Sequence, residues 1–134
     1  MKLVEFLVSK ISYYHSNKSY AVVLNEVNGD RRLPIMLGSY EAQAIAIAME
    51  SIDTQRPLTH DLLINALQGL GLSLKNVTIK RCEEEIFFST INIVSPSLVE
   101  KNIDSRPSDA IILALKLHCP IFVNELLLDN INKN

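Results

Sequence analysis

The feature that most constrains the fold is a helical segment that has almost no polar side. Residues 110–115 read AIILAL and carry no charge, whereas residues 104–109 read DSRPSD and place Asp104, Arg106 and Asp109 around one proline. A helix that is apolar on most of its faces is buried in a folded protein. The chain must therefore provide enough other structure to cover this helix, and it must accommodate three ionisable side chains where the helix begins.

The composition is that of one domain with an ordinary hydrophobic core. The chain has 134 residues, of which 48% are hydrophobic, and its formal net charge is −2. A chain of this length can build a core without disulfides or structural metals. The charge excludes a uniformly basic nucleic-acid-binding protein. Four tyrosines, four phenylalanines and no tryptophan also argue against an extended base-stacking surface.

The cysteines and histidines form no recognisable metal-binding or disulfide pattern. Cys82 and Cys119 lie far apart, and their spacing from His15, His60 and His118 fits no known set of zinc ligands. We expect both cysteines to be reduced thiols, with Cys119 buried. No signal peptide or membrane-spanning stretch is recognisable, so we expect a cytoplasmic protein that does not bind membranes.

The hydrophobic pattern predicts two groups of strands with helices between and after them. Strands are expected at residues 3–14, 19–27, 31–37, 72–82, 86–94 and 97–103, with a short strand from residue 120. Helices are expected to follow N-cap residues of the usual polar kind, namely Ser39, Thr59, and either Ser105 or Ser108. Pro34 indicates that the third strand is an edge strand or contains a bulge. The domain is expected to span residues 1–128, followed by a frayed C-terminal tail at 129–134.

Two Arg-Pro segments precede helices, and each has a purely local explanation. In RPLTHD at 56–61 and DSRPSD at 104–109, a threonine or serine caps the helix and an aspartate complements the helix dipole. In the second segment the proline also fits the first turn. The local explanation does not require both Asp104 and Arg106, because an exposed ion pair contributes only about 0–1 kcal/mol. An arginine beside a helix N-terminus is also typical of a phosphate site.

Four segments, in this order and spacing, resemble the bifunctional nuclease domain family. They are LPIMLGSYEAQAIA at 33–46, RPLTHDLL at 56–63, DSRPSDAIILAL at 104–115 and PIFV at 120–123. The resemblance implies an α+β fold in which helices pack on a mixed, strongly curved sheet, and a homo-oligomer, most simply a dimer. It also implies nuclease activity on both DNA and RNA, in a family found mostly in bacteria and plants.

We therefore hypothesise a nuclease that hydrolyses phosphodiester bonds with help from Mg²⁺, which prefers oxygen ligands. The polar residues that match the family segments supply the candidates. The predicted catalytic residues are His60, Asp61, Asp104, Arg106 and Asp109. The predicted phosphate-binding residues are Arg56, Arg106 and Ser108. The predicted metal ligands are Asp104, Asp109 and Glu41. The alternative is a non-catalytic module that recognises an anionic ligand or a partner protein.

Overall fold

Residues 1–131 are described by a computed structural model, which contains one sheet and four helices. In chain order the elements are β1 (Leu3–Tyr14), β2 (Ser19–Glu26), β3 (Arg32–Leu37), α1 (Ser39–Met49), α2 (Thr59–Gly69), β4 (Ser73–Glu83), β5 (Ile86–Val94), β6 (Glu100–Ser105), α3 (Pro107–Leu117), β7 (Ile121–Asn124) and α4 (Leu126–Ile131). The predicted elements are therefore present, with boundaries that shift by a few residues.

The sheet consists of two antiparallel three-stranded units joined by the short strand β7. Its order is β3-β2-β1-β7-β4-β5-β6. β7 pairs antiparallel with β1 and parallel with β4, and the other pairs in the described sheet are antiparallel. The predicted α+β fold with a mixed sheet is confirmed, and Pro34 does lie in an edge strand. The strong curvature of the sheet stays a prediction.

α3 crosses the sheet on its way from the edge strand β6 to the central strand β7. It packs on β4 and β5 and, on another side, on α1. Ser108 and all residues of 110–114 are buried, so the uncharged run is covered on nearly every side. Its backbone ends at His118, which adopts a left-handed conformation with φ 55°. The predicted buried helix is confirmed.

The N-cap residues of the three longer helices lie one or two residues away from the predicted caps. Gly38 and Leu58 are the N-cap residues of α1 and α2, and Arg106 is that of α3, followed by Pro107. The predictions of Ser39, Thr59, Ser105 and Ser108 as caps are therefore wrong. In α1 and α2 the reason is visible, because a first-turn carboxylate accepts the hydrogen bond of the cap's backbone N–H. Glu41 Oε1 lies 3.1 Å from Gly38 N, and Asp61 Oδ2 lies 2.9 Å from Leu58 N.

Several smaller expectations can be compared with the structure. Cys82 is exposed and Cys119 is half-buried, and both are free thiols, so Cys119 is less buried than expected. α4 continues through Ile131, and the rest of the predicted tail, residues 132–134, lies outside the described residues. Among residues 1–131 no helix is long and apolar enough to cross a membrane.

α2 is attached to the rest of the domain by polar as well as apolar contacts. Ile64 is the one residue of this helix that is buried. Lys116 Nζ, near the end of α3, lies 2.9 Å from Asp61 Oδ1 in the first turn of α2, and both side chains are largely shielded from solvent. This ion pair therefore fixes the start of α2 against the end of α3.

The burial of α3 predicts that truncating a leucine on α3 destabilises the protein far more than truncating an exposed leucine on α2. Leu113 is 1% exposed, whereas Leu62 on α2 is 63% exposed. We expect Leu113→Ala to lower the free energy of unfolding by about 3 kcal/mol, because it leaves a cavity in a packed core. Leu62→Ala should change it by less than about 0.5 kcal/mol. Urea unfolding of both variants measures the difference, and equal losses would contradict the described packing.

The ion pair between Asp61 and Lys116 predicts a pH-dependent contribution to stability. The hydrogen bond from Lys116, followed by that from the Leu58 backbone, lowers the pKa of Asp61 below its ordinary value. Such a carboxylate stabilises the fold above the pKa of the unfolded chain, about 3.9 for aspartate, and the contribution is lost as the pH falls through the folded-state pKa.

Asp61→Asn keeps an acceptor for the Leu58 amide and removes the charge. We expect it to lower the free energy of unfolding by about 1 kcal/mol at neutral pH. The difference from the unsubstituted protein should shrink below about pH 4. Urea unfolding over a series of pH values measures this, and a difference that stays constant into the acid range would show that the ion pair is not its source.

Candidate functional site

The first turns of three helices meet around a group of polar side chains. Ser108 Oγ of α3 donates a hydrogen bond to Glu41 Oε2 of α1 over 2.8 Å. His60 Nε2 of α2 lies 2.9 Å from Asp109 Oδ1 of α3. Residues from α1, α2 and α3 that are far apart in sequence therefore form one unit. We call it the polar cluster, and its members are Glu41, His60, Arg106, Ser108 and Asp109.

Asp109 is the centre of the polar cluster because it contacts both Arg106 and His60. Arg106 Nε lies 3.0 Å from Asp109 Oδ2, and Arg106 Nη2 lies 3.4 Å from Oδ1. Partial burial raises the pKa of Asp109, but the hydrogen bonds from Arg106 and then His60 outweigh this effect and lower it below its ordinary value. The same hydrogen bond raises the pKa of Arg106. Asp109 is consequently an anion at neutral pH.

The charge of Asp109 determines which nitrogen of His60 carries the hydrogen. A carboxylate can only accept, so Nε2 must be the donor, and in the neutral imidazole Nδ1 is then an unprotonated acceptor. Within residues 1–131, Nδ1 has no hydrogen-bond partner and is not among the fully buried unpaired atoms. The His60 side chain is 20% exposed. His60 is thus held by an aspartate on one side and offers a free lone pair on the other.

Arg106 is the most exposed member of the polar cluster. Its side chain is 68% exposed, and its Nη1 lies 4.0 Å from Glu41 Oε2. The guanidinium also stands at the N-cap of α3, where the helix dipole is positive. Several N–H groups of Arg106 therefore remain available to an anion beside His60, despite its contacts with Asp109.

The carboxylates of the polar cluster do not form a metal-binding group as they are arranged. In the described part of the chain, no three His, Cys, Asp or Glu side chains lie close enough to hold a metal ion. Asp109 is engaged with Arg106 and His60, and the two oxygens of Glu41 accept hydrogen bonds from Gly38 and Ser108. A Mg²⁺ ion would have to displace these partners, so the residues do not fit it here. The requirement for Mg²⁺ stays a prediction.

Three residues of the predicted site lie apart from the polar cluster. Asp104 is exposed on β6 opposite Thr90, and Ser105 contacts the buried Ser89. Because side chains alternate along a strand, Asp104 lies on the other face of the sheet from Ser105. Arg56 is exposed in the loop before α2. Asp61 contacts Lys116 and the Leu58 backbone.

Several side-chain contacts in the structure were not predicted from the sequence. Arg106 pairs with Asp109 rather than with Asp104, and the spacing of three residues within one helical turn was a signal for this choice. Ser108 is buried against Glu41, so its hydroxyl does not face solvent. Lys116 was not among the candidates, because a lysine in the last turn of a helix usually only complements the dipole.

Comparisons with known proteins relate this arrangement to a family. A sequence profile described as "Bifunctional nuclease domain" matches residues 22–134. Two uncharacterised proteins of Mycobacterium tuberculosis are 40% identical to the chain over 109 residues, which are 80% of this chain and 63% of theirs. A protein of Oryza sativa subsp. indica named "Bifunctional nuclease 1" is 27% identical over 108 residues, which are 78% of this chain and 33% of the rice protein.

These relatives are longer than the segment that they share with this chain. The chain spans 63% of the length of the mycobacterial proteins and 33% of the rice protein. The family profile, in contrast, covers most of the chain and includes every member of the polar cluster. The chain therefore belongs to the bifunctional nuclease domain family.

Proposed function

We propose that this protein is a nuclease that hydrolyses phosphodiester bonds in DNA and RNA. The observation that carries the proposal is the pairing of His60 with Asp109 beside the exposed guanidinium of Arg106. Membership of the family and the name of the rice relative support the same activity. A general base and a cationic phosphate ligand within one cluster are the groups that phosphodiester hydrolysis needs.

His60 acts as the general base in this mechanism. Asp109 holds the imidazole with the hydrogen on Nε2, and it stabilises the imidazolium that forms when Nδ1 accepts a proton. Nδ1 takes this proton from a water molecule while the water oxygen attacks phosphorus. Because DNA has no 2′-hydroxyl, activity on both DNA and RNA requires water rather than the sugar as nucleophile. The leaving oxygen departs with a proton from solvent, and the products are a phosphate monoester and an alcohol.

Arg106 binds the scissile phosphate and stabilises the transition state. Its guanidinium can donate two hydrogen bonds to phosphate oxygens, and its charge offsets the negative charge that builds up on them. The N-terminal end of α3 adds a favourable dipole at the same place. The hydrogen bonds to Asp109 keep Arg106 oriented, so less conformational entropy is lost when the substrate binds.

The other assignments made from the sequence take no part in this mechanism and stay predictions. They are the catalytic roles of Asp61 and Asp104, the phosphate contacts of Arg56 and Ser108, and the metal ligation by Glu41, Asp104 and Asp109. Mg²⁺ would supply charge neutralisation and a more acidic bound water if the active protein holds it elsewhere. The homo-oligomer, expected as a dimer, is a further prediction of this kind.

A second candidate function is a non-catalytic module that recognises an anionic ligand or a partner protein. The observation that favours it is the complete pairing of the carboxylates in the polar cluster, which is also typical of a structural charge network. Arg106 would then hold the anion without any bond being cleaved. The two functions differ in their dependence on His60, since binding of an anion through Arg106 does not require a base.

The role of His60 is tested by His60→Gln, with His118→Gln as the matched control. Glutamine can still donate to Asp109 but offers no proton acceptor of comparable basicity, and His118 lies exposed at the other end of α3. We expect His60→Gln to lower kcat for labelled DNA and RNA by at least about 100-fold. His118→Gln should leave it unchanged. The assays are run with Mg²⁺ and with EDTA, which also tests the metal requirement.

Each outcome of this assay has a clear meaning. If His60→Gln and His118→Gln cleave at the same rate as the unsubstituted protein, the activity belongs to a contaminant or to another site. Absence of cleavage by the unsubstituted protein, together with binding of oligonucleotides that survives His60→Gln, would favour the binding module. Loss of activity with EDTA but not with His60→Gln would replace the proposed base by a metal-bound water.

The role of Arg106 is tested by comparing Arg106→Gln with Arg56→Gln. Both arginines are exposed, but Arg106 alone belongs to the polar cluster. We expect Arg106→Gln to lower kcat/KM by about 100-fold or more, because an oriented donor to the transition state is lost. Arg56→Gln should have a much smaller effect. Steady-state kinetics measure both, and the reverse order of the two losses would place the phosphate near α2 instead of α3.

A further inference from the structure

All four tyrosines of the chain lie at one corner of the molecule. Tyr13 and Tyr14 end β1, Tyr20 is near the start of β2, and Tyr40 is in the first turn of α1. Tyr13 is opposite Tyr20 in the sheet, and Tyr20 is opposite Leu37, three residues before Tyr40. The sheet register therefore brings together aromatic residues that the sequence distributes over two strands and a helix.

Tyr13 and Tyr20 are in ring contact, and Tyr40 is exposed on the first turn of α1, next to Ser39, which lines the same groove as Tyr20. The Tyr13 ring lies 4.8 Å from the rings of both Tyr20 and His15, measured between centroids. Tyr13 is 41% exposed, and Tyr40 is 87% exposed, which leaves nearly its whole ring in solvent. We call Tyr13, Tyr20 and Tyr40 the tyrosine surface.

A groove adjoins the tyrosine surface between the sheet and α1. It encloses about 420 Å³, and it is lined by Ile11, Tyr20, Ser39, Ala42, Gln43 and Ala46. The lining is mostly apolar, with the Gln43 amide as a donor and acceptor. A groove of this kind can accommodate a flat ring whose faces contact the apolar side chains and whose polar edge contacts the Gln43 amide.

The charges around the tyrosine surface favour a polyanion. Residues 8–25 contain Lys10 and Lys18 and no carboxylate, and residues 33–40 contain no charged residue. This absence is notable in a chain whose net charge is −2. Because side chains alternate along a strand, Lys10 lies on the other face of β1 from Tyr13. Lys18, in the turn between β1 and β2, is therefore the cation of these segments that a phosphate backbone at the tyrosine surface would meet. Glu41, the carboxylate next to Tyr40, is engaged with Gly38 and Ser108.

The tyrosine surface is continuous with the polar cluster. Ser39 lines the groove, Tyr40 is the next residue, and Glu41 contacts Ser108 and approaches Arg106. One turn of α1 thus joins the place where rings can stack to the place where Arg106 and His60 act on a phosphate. A chain of nucleotides can extend from one to the other.

We propose that the tyrosine surface binds single-stranded nucleic acid and feeds it to the polar cluster. This inference rests on the proposed nuclease function. In a duplex the faces of the bases are covered by their neighbours, so exposed tyrosine rings select unpaired bases. Stacking uses the ring of any base and ignores the sugar, which agrees with a substrate range that includes both DNA and RNA. Tyr40 holds the base next to the scissile phosphate, and Tyr13 and Tyr20 hold bases further along.

The test compares tyrosines that are neighbours in sequence. Tyr13 and Tyr14 are equally exposed, at 41%, but they lie on opposite faces of β1. Tyr13→Ala and Tyr40→Ala are the test variants, and Tyr14→Ala is the matched control. Tyr13→Phe and Tyr40→Phe keep the ring. All are made in the His60→Gln background to suppress cleavage, and thermal unfolding confirms that each variant is folded.

The readout is fluorescence anisotropy with a labelled oligothymidylate of about 12 nucleotides and with the corresponding duplex. We expect Tyr13→Ala and Tyr40→Ala each to weaken binding of the single strand by roughly tenfold. Tyr14→Ala and the two phenylalanine variants should bind like the parent, and the duplex should bind more weakly than the single strand. Equal losses for Tyr13→Ala and Tyr14→Ala, or tighter binding of the duplex, would overturn the inference.

The binding assay and the cleavage assay separate the two proposals. If the protein cleaves DNA and RNA but the tyrosine variants bind normally, the nuclease function stands and the tyrosine surface is not the substrate site. If the tyrosine variants lose single-strand binding but no cleavage is found, the surface binds nucleic acid and the catalytic role of the polar cluster is wrong.

Discussion

The structure depends on the path by which the chain returns from the edge strand β6 to the central strand β7. This path passes over β5 and β4, and the connecting segment α3 is covered by the sheet on one side and by α1 on another. Burial of this kind explains why α3 carries six buried residues in its first eight. Both ends of α3 approach the surface, where Arg106 at the N-cap and His118 at the C-cap are exposed. At the N-terminal end, polar residues of α3 meet those in the first turns of α1 and α2.

Asp109 shows how the same contacts support folding and chemistry. Partial removal from water disfavours its charge, but the hydrogen bonds from Arg106 and His60 restore the charged form. Each partner is fixed in return: Arg106 keeps its guanidinium at the N-cap of α3, and His60 keeps its hydrogen on Nε2. Because these contacts join α2 to α3, they also hold two helices together. In the proposed mechanism, the base and the phosphate ligand are thus oriented before any substrate is bound.

The sequence predicted the elements better than their contacts. Periodicity and turn residues located the strands and the buried helix, since these signals are local. Local motifs also selected His60, Arg106 and Asp109 as candidates. Their arrangement depends on tertiary structure: His60 and Asp109 are 49 residues apart, and no local pattern indicates that they touch. Asp104 was grouped with Arg106 because they are close in sequence, but Arg106 caps α3 and pairs with Asp109 in its first turn, whereas Asp104 is exposed on β6. The caps of α1 and α2 were misassigned because a carboxylate in the first turn accepts the backbone hydrogen bond of a non-polar cap residue.

The position of β7 also has a consequence for how the protein is made. Each three-stranded unit is built from contacts between strands that follow one another closely in the chain, so each can form early during synthesis. Residues 121–124, which join the units, leave the ribosome only after both units have been synthesised. Until then, the β1 and β4 edges that β7 will cover are open to pairing with other nascent chains. A pause in translation shortly before residue 121 would therefore expose an aggregation-prone intermediate, and a chaperone that holds these two edges would improve the yield of folded protein.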